Sequence, residues 1–183
     1  MPILGAWGVA WLAGFGAIYL ASARGPGPVL PTWAAGVVLG VLFAVAVLVS
    51  VGEGVRRRRG VEGPSRTISA MYGWSWALAL AALVAVNMGL IHEALPTDLR
   101  PLVWSGSSLL VVGLLYRAAG IVRRDRIQYG LGAWTLITGA GSVSAGAPAN
   151  FAVLSLAGGG GFLVAAALSQ ASKHRSRRAR RQR

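Results

Sequence analysis

Residues 32–59 read TWAAGVVLGVLFAVAVLVSVGEGVRRRR. From Thr32 to Gly52 no side chain is charged, and nearly every residue is Val, Leu, Ala or Gly. A helix needs about 20 such residues to cross the roughly 30 Å of hydrocarbon in a bilayer. Charge returns at Glu53 and then as a block, Arg56, Arg57, Arg58 and Arg59. An apolar run closed by arginines predicts a membrane span ending at a cytoplasmic surface.

Working outward, the same reading predicts five more spans. The first covers 3–21 and is followed by Arg24-Gly25-Pro26-Gly27-Pro28, which no helix continues through. The third covers 70–91, ahead of the turn His92-Glu93-Ala94-Leu95-Pro96-Thr97-Asp98, and the fourth covers 101–122, ahead of Arg123-Arg124-Asp125-Arg126. The apolar stretch that remains is too long for one crossing. Ala147-Pro148-Ala149-Asn150 divides it into a fifth span at 129–146 and a sixth at 151–169. The expected fold is all-α, a polytopic bundle of six transmembrane helices over residues 1–170. The basic tail, 171–183, is expected to be disordered and cytoplasmic, as a block of like charge should be.

Composition agrees. Hydrophobic residues make up 55% of the 183, charged residues 13%, and mean hydropathy is +0.59. Soluble domains carry about 25% charged residues, so a chain this apolar has too few polar groups to cover itself in water. Because unpaired backbone groups are costly in lipid, helices are the default way across. The Arg-rich, Ala- and Gly-rich usage is what GC-rich coding produces, which points to a bacterial source.

The net charge of +13 suggests nucleic acid until the charges are located. With the N-terminus inside, segment 53–69 carries +3, segment 117–129 carries +3 and the tail +7, which together are the whole net charge. Arg24, Glu93, Asp98 and Arg100 on the other side cancel. The positive-inside rule therefore places both termini in the cytoplasm of a cell (inner) membrane. A single span after Ile127 would strand the tail outside, so charge parity also favours the fifth and sixth spans. Arg56, Arg57, Arg58, Arg59, Arg123, Arg124 and Arg126 are read as topology and lipid charges facing an anionic leaflet. Nucleic acid is not an expected partner. Ala21-Ser22-Ala23 resembles a cleavage site, but no basic segment precedes it, and span one is expected to stay.

Within lipid, helices associate through small residues. Gly36 and Gly40 form a GxxxG on span two, Ala77, Ala81 and Ala85 a stripe on span three, and Gly158, Gly159, Gly160 and Gly161 a run on span six. The run predicts tight packing of span six on span five; the alternative is an unwound segment. Intramembrane polar residues are the other candidates, since burying them in hydrocarbon is costly. They are Asn87, Ser105, Ser108, Thr135, Thr138 and Ser142, expected either to bond helix backbone or to line a small polar path. Tyr72, Trp74, Trp76, Tyr116, Tyr129 and Trp134 are expected at the inner membrane interface, and Trp33 and Trp104 at the outer one. Arg117, just inside span four, is expected to snorkel to the headgroups.

The chain has no cysteine, five carboxylates scattered over loops, and two histidines on opposite faces of the predicted membrane. No arrangement suits general acid–base, nucleophilic or metal chemistry. No catalytic, cofactor or metal site is expected. The residues therefore point to an accessory or regulatory membrane subunit that works through helix–helix contacts, as a homo-oligomer or with a membrane partner protein. The alternative is a small transporter or channel for an ion or small solute.

Overall fold

The computed structural model describes residues 2–22, 30–58 and 64–181. The break at residues 24–28 and Arg59 lie outside them, as do the last two residues of the tail. Six long helices account for nearly all of the described chain, with no strand among them: α1 Pro2–Ser22, α2 Thr32–Arg58, α3 Pro64–His92, α4 Arg100–Arg123, α5 Arg126–Ala145, and α6 over residues 149–181. The last is a composite of Ala149–Val153, a π-helical turn at Leu154–Gly159, and Gly160–Arg181.

Local chemistry sets the ends. Pro101 opens α4, where its missing N–H costs nothing. Arg124 closes α4 in the left-handed region at φ 52°, and its N–H returns to the carbonyl of Ile121. Asp125 then caps α5 by accepting from the N–H groups of Ile127 and Gln128. Ala147 and Pro148 form the turn into α6, as expected. The tail departs from expectation: residues 171–181 continue α6 as helix. Ala, Arg, Lys and Gln are good helix formers, and cations suit a helix C-terminus, so the basic block extends a helix already nucleated by its packed part.

Five of the six helices contain stretches long and apolar enough to cross a membrane: Pro2–Ser22, Thr32–Arg56, Ala70–His92, Arg100–Arg123 and Ala149–Ser172. The exception is α5, which at 20 residues is long enough but is diluted by Gly, Ser and Thr. Those polar side chains are turned inward, Thr135, Thr138 and Ser142 all being buried.

The helices pack in the order α2, α1, α6, α5, α4, α3. Neighbours in sequence pair through α1 with α2 and α4 with α5, and α6 joins the two pairs. A line of aromatic rings crosses the bundle from Trp7 through Phe43, Phe15, Trp11, Phe162, Tyr116 and Trp76 to Tyr72. Centroids along it are 5.3 to 6.3 Å apart, and most contacts are edge-to-face. Each such pair adds about 1 kcal/mol beyond area burial. Tyr116 is therefore a buried core residue and not an interfacial anchor, and Trp76 is half-buried against it. The expected interfacial role suits the exposed Trp33 and Trp74 better.

The α4–α5 pair uses backbone approach instead of rings. A Cβ on Gly132 would lie 2.6 Å from both the Arg117 nitrogen and the Gly113 oxygen, and one on Gly120 would lie 2.6 Å from the Tyr129 nitrogen. The outer helices are attached on one side only. In α2 the buried residues are Ala35 and Ala46, and in α3 they are Leu83 and Asn87.

Candidate functional site

The widened turn of α6 is where polar groups from three helices converge. A π turn leaves backbone carbonyls open to outside donors, and such turns recur at functional sites. Here the Trp134 indole N–H of α5 donates to the Ala157 carbonyl at 2.8 Å. From the same turn, the Ser155 hydroxyl donates to the Leu12 carbonyl of α1 at 2.7 Å. The turn is thus tied to both neighbours. The glycine run begins within it and divides its faces. Gly158 and Gly159 meet Trp11 and the Leu12 backbone of α1, Gly161 meets Trp134 of α5, and Gly160 meets nothing. The segment is locally widened yet closely packed, and it packs on α1 as well as on α5.

One turn earlier, Asn150 is fully buried, and neither its Nδ2 nor its Oδ1 has a hydrogen-bond partner. The Trp11 Nε1 and Gln128 Oε1 atoms are likewise buried without partners. In the sequence Asn150 belongs to Ala147-Pro148-Ala149-Asn150, which reads as a tight turn. Nothing in the residue pattern signals that its side chain points inward.

The expected polar path separates into pieces. The Asn87 Nδ2 donates to the Ser107 hydroxyl at 3.0 Å, which in turn donates to the Val103 carbonyl at 2.5 Å. That pair fastens α3 to a face of α4 different from the one that meets α5, since Ser107 is about 100° around the helix from Gly106. Ser105 donates to the Leu102 carbonyl, Thr135 to Leu131 and Ser142 to Gly139, each within its own helix. Thr138 is buried on the same face of α5, and Ser108 is half-buried. No described hydrogen bond links the Asn87–Ser107 pair to the α5 hydroxyls.

The small-residue motifs need one correction. Gly36 and Gly40 have no neighbour within 4 Å of an added Cβ, so they do not hold this bundle together. The residues of α2 that meet α1 are Ala35, Leu39, Phe43, Ala46 and Ser50, as shown by the Leu39–Gly14 and Phe43–Trp7 contacts and the Trp7–Ser50 hydrogen bond. That selection turns Gly36 and Gly40 outward. Ala77, Ala81 and Ala85 are also exposed.

At the other end of α4, arginines collect. The Arg117 guanidinium bonds to the Tyr129 hydroxyl and lies 4.4 Å from the centre of its ring. Arg123 lies 5.0 Å from the centre of the Tyr72 ring. Arg124 and Arg126 line a groove of about 250 Å³ with Gly120, Ile121, Asp125 and Tyr129. Among the described residues no three His, Cys, Asp or Glu side chains gather as a metal site would need. No family model, curated protein or solved structure matches the chain.

Proposed function

We propose that the protein is a six-span integral protein of a bacterial cell membrane, with both termini cytoplasmic, acting as an accessory or regulatory subunit. The observation that carries this reading is the pair of outward small-residue faces, Gly36 and Gly40 on α2 and Ala77, Ala81 and Ala85 on α3. Inside the bundle, glycines of the same kind bring helices into backbone contact. Against lipid tails, a glycine or alanine gains less packing than a leucine would. Faces of this kind suit another helix. The α5 helix joins the spans in this reading because its hydroxyls are turned away from lipid.

The absence of cysteine makes the test clean, since a single introduced thiol reports one face. Gly40→Cys in native membranes should give a disulfide-linked or thiol-crosslinked adduct of defined mass, and Ser142→Cys, buried in the bundle, should not. No adduct at Gly40→Cys or Ala81→Cys, with a solitary monomer in native-lipid particles, would remove the subunit reading.

A transporter or channel for a small solute is the second reading. It draws on the π turn and on the unpartnered Asn150 amide, which a polar solute would satisfy. Flux in proteoliposomes that disappears in both Asn150→Leu and Ser142→Leu would favour it over the subunit reading.

A further inference from the structure

We propose that the α4–α5 corner binds the phosphate headgroup of one anionic phospholipid. Arg117, Arg123, Arg124 and Arg126 fall within ten residues of chain, and the acid among them is Asp125. That carboxylate caps α5, its Oδ1 accepting from the Ile127 N–H at 2.9 Å and the Gln128 N–H at 3.1 Å. Arg56 pairs with Glu53 in α2, and among the described residues none of the four corner guanidinia forms an ion pair with a carboxylate. The corner is also built to hold its shape. Gly120 admits the Tyr129 backbone, Arg124 makes the left-handed turn, and the rings of Tyr129 and Tyr72 carry Arg117 and Arg123. A guanidinium resting on a ring keeps its N–H edge for a phosphate oxygen.

The groove selects the ligand by what else lines it. Ile121 forms one wall and is 66% exposed, and Val122 beside it is 58% exposed. A free phosphate would gain nothing from that apolar wall, whereas a lipid would lay its glycerol and acyl chain along it. A zwitterionic headgroup would bring an ammonium into a corner whose four guanidinia outnumber the single Asp125 carboxylate. An anionic lipid matches both the cationic floor and the apolar side. The inference rests on the membrane reading above and is independent of the accessory role.

The test uses the full chain, purified in detergent and titrated with phosphatidylglycerol or phosphatidylcholine, with bound lipid counted by native mass spectrometry. One phosphatidylglycerol per chain should be retained in clear preference to phosphatidylcholine. Each of the single exchanges Arg124→Gln and Arg126→Gln should weaken it about fivefold, the usual worth of one basic residue at an anionic surface. Arg100→Gln, at the opposite end of α4, should leave it unchanged. Equal retention of the two lipids, or wild-type retention in both single variants, would overturn the proposal. Displacement of the lipid by millimolar inorganic phosphate would overturn it in favour of a free-anion site. Failure of the membrane reading looks different: the protein would then leave the membrane fraction in alkaline carbonate without detergent.

Discussion

The Trp134 side chain of α5 is hydrogen-bonded to the Ala157 carbonyl of α6 at 2.8 Å, and the same indole lies against Gly161 one turn further on. One side chain thus both caps an opened carbonyl and fills the space left by a missing Cβ. Trp134→Phe keeps most of the ring and removes the donor. The Ala157 carbonyl then keeps only the Gly160 N–H of its own helix, and interhelical hydrogen bonds in lipid contribute about 0.6 to 1.7 kcal/mol. The expected result is a loss of about 1 kcal/mol in detergent unfolding. Wild-type stability in Trp134→Phe would mean that the widened turn does not depend on this donor.

The glycines divide into two predicted classes. Gly132→Ala places a methyl 2.6 Å from backbone atoms of both Arg117 and Gly113, so α4 and α5 must separate. Overpacking of this kind costs about 1–3 kcal/mol. Gly40→Ala meets nothing within the chain and removes a helix-weakening residue, so the isolated protein should be unchanged or up to about 1 kcal/mol more stable. Thermal unfolding of the two purified variants decides this. The reverse order would mean that the α4–α5 interface is looser than the backbone contacts require.

The two buried asparagines should also respond oppositely. Asn87 is paired with Ser107 and is, with Leu83, one of two buried residues among those described in α3, so Asn87→Leu should loosen α3 and cost about 1 kcal/mol. Asn150 has two amide atoms buried without partners, each carrying a desolvation cost of about 1–3 kcal/mol. Asn150→Leu removes both and should leave stability unchanged or raise it. If Asn150→Leu is as destabilising as Asn87→Leu, the amide has a partner in the membrane that the isolated chain does not supply.

Helix positions were legible in the sequence because lipid imposes length and apolarity on each segment separately. Thr32–Gly52 needs no neighbour to be read as helix. Pairing was less legible, since periodicity gives a helix its faces and leaves open which face meets which helix. Gly36 and Gly40 have the spacing of a packing motif and face outward, while Gly113, Gly120 and Gly132, which belong to no GxxxG, hold α4 to α5. Tyr116 looked interfacial from its place near Arg117, yet its ring points into the core. The α5 helix shows the opposite case. Its low apolarity alone would argue against a span, and only the charge of the segments on either side recommends one.

That makes α5 the place to test the topology. If it crosses, the turn at Ala147-Pro148 lies outside and the C-terminus inside; if it lies along the inner surface, α6 still crosses, so the turn lies inside and the C-terminus outside. Alkaline phosphatase fused after Leu95 or within the 147–148 turn should be active, and a fusion after Arg183 should be inactive, with a cytoplasmic fluorescent reporter giving the complementary pattern. The inward placement of Thr135, Thr138 and Ser142 favours crossing, because a surface-lying helix would turn such hydroxyls to water and would not leave Ile137 and Val143 exposed. Phosphatase activity after Arg183, together with none after Leu95 or in the turn, would invert the whole chain and with it the charge argument. Activity after Leu95 and after Arg183 with none in the turn would take α5 out of the membrane and leave five spans.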